Sequence, residues 1–395
     1  MSQQLISHNP DLKRLRDEGY DIEVRSGYLI AKHIPYVNGK GEVKYGVIVS
    51  ELTVAGDLTV TPTNHTVYFS GDHPCDKNGT PLTKIVNQSV QKTLAPDLVV
   101  DHYFSSKPTS GSYKDHYEKI VTYIAIVSSP AHSLDPSATA KTFPVIEAKE
   151  DESVFNYLDT ASSRAEIGAV SSKLEVVKKV GVVGLGGTGS YVLDLLAKTP
   201  VQEIHIFDGD RFSQHNAFRS PGAPSADELR GEIWKVLYLR EIYSKMHRNI
   251  IAHNCFIEAS NVDRLQGMDF VFLCLDRGEV KKLIIEKLEG YRIPFIDVGM
   301  GVQLVDNSLL GVLRITLSSN QQRDHIKKKA RISYSDGDGN NDYSRNIQIA
   351  DLNALNAALA VIKWKKLVGY YKDLENEHFS TYTIDGNMLI NEDHI

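Results

Sequence analysis

The run Val180-Gly181-Val182-Val183-Gly184-Leu185-Gly186-Gly187-Thr188-Gly189 sets Gly184, Gly186, Gly187 and Gly189 where an apolar strand-like stretch gives way to a helical pattern. Glycines there let the backbone turn tightly and bring N–H groups close to phosphate oxygens, and the positive end of the following helix adds to the attraction. Asp208 follows Gly184 by 24 residues, at the end of the next apolar run, where a carboxylate can accept bonds from ribose hydroxyls. The glycines and Asp208 suit an adenine dinucleotide as well as a nucleoside triphosphate.

The residues beyond them bear on that choice. Asp208-Gly209-Asp210 leads to His215-Asn216-Ala217-Phe218-Arg219, a further helical stretch brings Lys235, and the apolar run Phe272-Leu273-Cys274-Leu275 ends at Asp276. Ligands of doubly wound sheets sit beyond the carboxyl ends of the strands. The loop at Gly184, Asp208 and Asp276 therefore surround one crevice, into which Arg219 and Lys235 reach. A triphosphate carries enough charge to use both cations, and Asp276 is a hard anionic ligand suited to Mg2+ bridging phosphate oxygens. Taken singly, a lone Arg or Lys reads first as a surface ion pair; only the joint placement of these residues favours the phosphate site.

The elements that must position these groups follow from pattern. From about residue 175 the chain alternates strand and helix: strands at Lys178–Gly184, Glu203–Phe207, Ile250–Ile257, Asp269–Leu275 and Pro294–Val298, helices at Gly187–Lys198 and Glu279–Glu289, and one long amphipathic helix over Asp227–Met246. This is the signature of a doubly wound, Rossmann-like, mostly parallel sheet. Late antiparallel strands follow: a hairpin of Val302–Val305 with Leu310–Leu317, and a closing strand Phe379–Ile384. Between them, Ser318–Arg345, with the run Ser335–Asn341, reads as a mobile crossover loop too poor in apolar residues to pack. A helix over Ile347–Leu367 presents Ile349, Leu352, Leu355, Leu359 and Ile362 on one face.

Residues 1–150 form a smaller α+β domain, and 151–395 the nucleotide-binding domain. In the first domain the strand-like runs are Gly27–His33, Val43–Val49, His65–Phe69 and Ile120–Val127, with a hairpin signal at Asn78-Gly79 and a loop at Ser105–Ser112. Asp101-His102 and Asp115-His116 lack the spacing of a metal site.

With 42% apolar and 24% charged residues the chain has the composition of a globular protein, which excludes global disorder. Its net charge of −6 argues against a nucleic-acid binder. Three cysteines, none in a CxxC pair, argue against a disulfide framework. No apolar run approaches the ~18 residues of a membrane span, and the polar first residues lack a signal-peptide core, so the expected location is cytoplasmic.

The ordered set GxGGxG, DxD, NxxR, Lys235 and Asp276 resembles the ThiF/MoeB/ubiquitin-activating superfamily, over roughly residues 155–390 and including Thr383-Ile384-Asp385-Gly386. The resemblance implies adenylation by ATP and Mg2+ of the C-terminal carboxylate of a ubiquitin-like protein ending in glycine. It implies that Gly184, Gly186, Gly187 and Gly189 line the phosphates, Asp208 with Asp210 the ribose side, Asn216, Arg219 and Lys235 the outer phosphates and reacting centre, and Asp276 the metal. Ser163-Arg164-Ala165-Glu166 resembles the family segment whose arginine enters the neighbouring subunit's site, which makes Arg164 a candidate in trans and implies a homodimer. His215-Asn216-Ala217 departs from the family's Ser-Asn-Leu.

A thioester step needs a cysteine, which the family places after the metal-binding aspartate, and none follows Asp276. Cys255 and Cys274 read as core residues, leaving Cys75, near His73, as the remaining candidate. The expected product is an acyl-adenylate passed directly to a partner's thiol or amine. The first domain loosely resembles a ubiquitin-conjugating fold, known in bacteria fused to activating domains, and reads as a docking module for a carrier or conjugating enzyme. The alternatives are adenylation of a small-molecule, peptide or RNA-borne carboxylate, an NAD(P)-dependent oxidoreductase, and a non-catalytic nucleotide-binding scaffold.

Overall fold

The computed structural model describes residues 2–334 and 347–395, so the run Ser335–Asn341 lies outside the described residues. The chain divides into two compact units, Met1–Ile146 and Glu147–Ile395.

In the first unit, strands Ile22–Arg25, Tyr28–Val37, Val43–Glu51, Thr66–Ser70, His102–Ser105 and Val86–Gln88 pair in that order, all antiparallel. Leu29, Ile48, Val67, Phe69 and Phe104 pack with Leu12 and Leu15 of the Pro10–Asp17 helix. The Ile120–Val127 run, expected among the strands, lies inside a 19-residue helix, His116–Leu134. Its buried positions Ile120, Tyr123, Ile124, Val127 and Ala131 follow helical spacing, and Asp115 caps it by accepting from the Glu118 N–H at 2.7 Å. Asn78-Gly79 forms a tight turn, with Gly79 at φ +81°, but single bridges between Cys75, Val37 and Pro81 stand where a full hairpin was expected.

In the second unit, strands Ile250–His253, Glu203–Phe207, Lys179–Val183, Phe270–Leu273 and Phe295–Val305 lie side by side and parallel. Ser308–Ser318, Glu377–Thr383 and Met388–His394 extend the sheet antiparallel. The sheet is thus mixed and Rossmann-like, as its strand–helix alternation implies. Helices Gly187–Leu196 and Ala350–Leu367 bury Val192, Leu193, Leu196, Ala357, Ala360 and Trp364 against Val180, Val182, Phe270 and Phe272.

Several expectations need correction. Pro294–Val298 and Val302–Val305 form one strand, Phe295–Val305, which turns into Ser308–Ser318 through Asp306 and Asn307, both at positive φ. A last strand, Met388–His394, follows the one read as closing the domain, and its Asn-Glu-Asp-His sequence hides it. Residues up to 334 in the supposed loop are packed: helix His325–Lys328 forms, and Ile326 and Ile332 join Ile284, Ile285 and Leu288 in a core. The buried side of Ala350–Leu367 runs through Asn353, Asn356, Ala357, Ala360, Val361 and Trp364, leaving Leu355 and Leu359 half-buried and Ile362 42% exposed. Among the described residues no helix is long and apolar enough to cross a membrane.

Candidate functional site

The Lys179–Val183 strand ends at Gly184, whose φ of +87° favours glycine and whose Cβ would lie 2.7 Å from the Cys274 carbonyl. Gly189 serves close packing, because its Cβ would lie 1.9 Å from the Gly184 oxygen. Gly186 is different: a Cβ there would meet nothing within 4 Å, so no packing among the described atoms demands a glycine. Its bare backbone begins the Gly187–Leu196 helix with no side-chain cap, as an approaching anion requires.

Asp208 ties this loop to the next strand. Its Oδ2 accepts from the Leu185 N–H at 2.7 Å and its Oδ1 from the Asp210 N–H at 2.8 Å. Lys235 Nζ lies 2.8 Å from Asp210 Oδ2 and 3.5 Å from Asp208 Oδ1, with both Lys235 and Asp208 buried. Lys235 reaches this place because the expected long helix is broken. Ala226–Arg230 and Lys235–Tyr243 are separate helices, and the chain between them runs extended, the Phe212 N–H donating to Ile233 O at 2.7 Å beside a bridge of Arg211 with Trp234. That pairing is non-local, so the amphipathic pattern alone cannot reveal it.

A cavity of about 350 Å³ opens at the carboxyl side of the five parallel strands. Gly184, Gly186, Gly187, Asp208, Asp210, Arg219, Lys235 and Asp276 all line it. Gly189 and Asn216 stand behind the wall. Asn216 is buried, accepts from the Ser213 N–H at 2.9 Å, and takes the Arg219 N–H on its own carbonyl at 3.0 Å, so it orients the turn that carries Arg219. The Arg219 Nε is buried with no hydrogen-bond partner among the described residues. Burial, then Arg219 and Lys235, hold the neighbouring His215 below its ordinary pKa.

Other wall residues escaped the sequence reading. Phe256, 44% exposed, lies against Gly209, where a Cβ would come within 2.6 Å of its ring. Lys281 pairs at 2.9 Å with the fully buried Asp297, which Arg314 also reaches at 2.6 Å. Asn356 also lines the cavity. The Asn353–Asn356 pair, one helical turn apart in the apolar middle of its helix, was the available signal. Cys255 and Cys274, expected in the core, are also on the wall, and burial followed by Asp297 pushes the Cys274 thiol up.

Two candidates are not among the residues that line the cavity. Arg164 is exposed at the end of the Thr160–Arg164 helix. Cys75, in the first unit, is 1% exposed, its Sγ donates to His73 O at 3.3 Å, and burial followed by Asp76 raises its pKa. Among the described residues no group of three or more His, Cys, Asp or Glu could hold a metal ion. A metal at Asp276 would therefore complete its coordination with phosphate oxygens and water, the usual habit of Mg2+. An uncapped helix start, a bare Gly186, two lining cations and a hard acid fit a nucleotide phosphate chain with such an ion.

Two family models match parts of the chain. Residues 164–312 match the model of the ThiF family, and residues 10–160 that of a domain of unknown function, DUF6791. A curated relative is the adenylyltransferase and sulfurtransferase UBA4 of Saccharomyces cerevisiae, 28% identical over 150 residues, or 37% of this chain. The match spans only 31% of that yeast protein. Among solved structures, E. coli MccB with MccA-N7isoASN is 18% identical, covering 60% of this chain and 70% of its own, with a TM-score of 0.48. PaaA is 19% identical, covering 57% and 75%, with a TM-score of 0.45. The ThiF-family match of this chain thus falls in its second unit, and the match to DUF6791 precedes it in sequence.

Proposed function

We propose that this chain uses ATP to adenylate the C-terminal carboxylate of a ubiquitin-like protein ending in glycine. The observation that carries the reading is one cavity lined together by the glycine loop, Asp208, Arg219, Lys235 and Asp276. A dinucleotide would use the loop and Asp208 but leave the two cations and the second acid without work.

In this reading the adenosine lies towards Asp208 and the exposed face of Phe256, and the phosphates pass over Gly186 and the uncapped helix start. A carboxylate oxygen of the carrier attacks the α-phosphorus, a new P–O bond forms, and the bond to pyrophosphate breaks. Arg219 and Lys235 offset the charge that builds on the departing pyrophosphate. Asp210 holds the Lys235 ammonium at 2.8 Å, so little reorganisation is needed when the phosphates arrive. Asp276 would hold Mg2+, which supplies charge neutralisation on the phosphate oxygens.

The acyl group then passes to a thiol or amine of a partner: no cysteine follows Asp276, where a thioester-forming cysteine is expected, and burial with neighbouring carboxylates raises the pKa of Cys75 and Cys274. Arg164 belongs to the neighbouring subunit's site in a homodimer, and the first unit docks the carrier or a conjugating enzyme. The enzyme acts in the cytoplasm. Calorimetric titration of the full chain tests the reading: Mg–ATP binds, and binding is lost in Lys235→Ala. Tight binding of NAD with none of ATP contradicts it.

A further inference from the structure

Asn356 sits on the helix Ala350–Leu367, 1% exposed, and forms part of the cavity wall. Its Nδ2 donates to the Gly299 carbonyl at 3.2 Å. Only the NH2 end of an amide can face a carbonyl, so this bond fixes which end is which. The Oδ1 is then an acceptor, buried and, among the described residues, without a partner. A buried acceptor left unpaired is costly, and native proteins retain such groups chiefly where something outside the chain satisfies them. On this wall, that something is the occupant of the cavity, and it must bring a donor.

The sheet order says which part of the occupant is near. Asp208 follows the Glu203–Phe207 strand, while Gly299 lies in Phe295–Val305, with Lys179–Val183 and Phe270–Leu273 between them. Three inter-strand spacings of ~4.8 Å separate the two positions by roughly 14 Å. The donors of a nucleotide, its ribose hydroxyls and adenine amino group, belong at the Asp208 end. Its phosphates, which cross the glycine loop, carry none. The group that reaches Asn356 is therefore the acyl substrate. A carboxylate has no donor either, but the residue bearing it in a polypeptide has a backbone N–H.

We infer that Asn356 Oδ1 accepts a hydrogen bond from the backbone N–H of the substrate's C-terminal residue, and so selects peptidyl carboxylates over simple carboxylic acids. This rests on the adenylation reading and names the substrate feature that the site recognises.

The test uses two stable mimics of the acyl-adenylate with the full chain. One is glycylglycine joined through its carboxyl to 5′-O-sulfamoyladenosine. The other is its counterpart in which an ester oxygen replaces the amide N–H between the two glycine units. Calorimetry on the unaltered protein is expected to show roughly tenfold tighter binding of the amide form. Asn356→Leu, close to asparagine in size, is expected to bind the two alike. Equal binding by the unaltered protein overturns the inference, as does an undiminished preference in Asn356→Leu. The comparison on the unaltered protein needs no substitution, so a variant that fails to fold does not remove the test. Binding of neither mimic brings down the adenylation reading itself, and the inference with it.

Discussion

The Asn353 side chain fills the space in which a Cβ on Gly187 would lie, only 2.2 Å from its Nδ2, and its Oδ1 accepts from the Thr188 hydroxyl at 2.8 Å. A helix late in the chain thereby braces the phosphate loop from behind. Gly187→Ala is expected to force the amide aside and cost about 1–3 kcal/mol of stability by overpacking, recovered in part by adding Asn353→Ala. Gly186→Ala, whose Cβ meets nothing, is expected to stay within about 1 kcal/mol of the parent while losing affinity for Mg–ATP. Denaturant midpoints and calorimetry on the three variants separate the two glycine roles. Equal destabilisation by both single substitutions contradicts the assignment.

Asp208 joins the loop to the adjacent strand through the Leu185 and Asp210 amides. Asp208→Ala strands a buried donor at Leu185 and a partly buried one at Asp210, and is expected to cost about 2–3 kcal/mol, the scale of charge-assisted bonds. Lys235 keeps its Asp210 partner, so the fold survives, but nucleotide affinity falls. Urea unfolding with and without Mg–ATP checks both parts. A variant with full stability would show that these bonds are idle.

How much of this was written in the chain depends on the kind of signal. The parallel strands were legible because Val180–Val183, Ile204–Phe207 and Phe270–Leu273 are apolar runs bounded by turn residues. The loop glycines, Asp208 and Asp276 were legible because each closes an apolar run, and Arg219 and Lys235 because they follow Asp208 in the order of the family motif. The buried side of Ala350–Leu367 was not, since alanines and two asparagines fill it while Ile362 faces out. Nor was the break before Lys235, because it depends on residues 211–212 pairing with 233–234. Polar buried residues such as Asp297 take their meaning from partners distant in sequence, here Lys281 and Arg314.

The three thiols should differ in reactivity. Burial raises the pKa of Cys75 and Cys274, with Asp76 and Asp297 adding to the effect. Cys255 is half-buried on the cavity wall, with the Arg264 guanidinium 3.8 Å from its sulfur. Iodoacetamide at pH 8 followed by peptide mass spectrometry is expected to label Cys255 first, with Mg–ATP slowing the reaction. Labelling led by Cys75 would reopen a thioester role for it.

Acid stability should turn on Glu377. Burial alone would raise its pKa, but Lys363 at 2.8 Å and Lys366 at 3.1 Å outweigh that and hold it down to about 2, from 4.5. A depressed folded-state value means that the stabilisation is present above pH 4.5 and is lost as pH falls towards 2. It amounts to something on the order of 3 kcal/mol. His325, pushed down to about 4 by burial, adds a loss that begins near pH 6.5. Urea midpoints between pH 7 and pH 3 are expected to fall, and less steeply in Glu377→Gln. Parallel curves for the two proteins contradict the assignment.

The most direct measurement is pyrophosphate–ATP exchange by the full chain with Mg2+ and a ubiquitin-like protein ending in a free glycine. Exchange is expected to require that free carboxylate, and to drop by roughly 10²–10³ in Arg219→Ala, in Lys235→Ala and in Asp276→Ala. Exchange at the parent rate in all three variants, or none from the parent with any carboxylate-bearing polypeptide while it transfers hydride from NAD(P)H, would contradict the account.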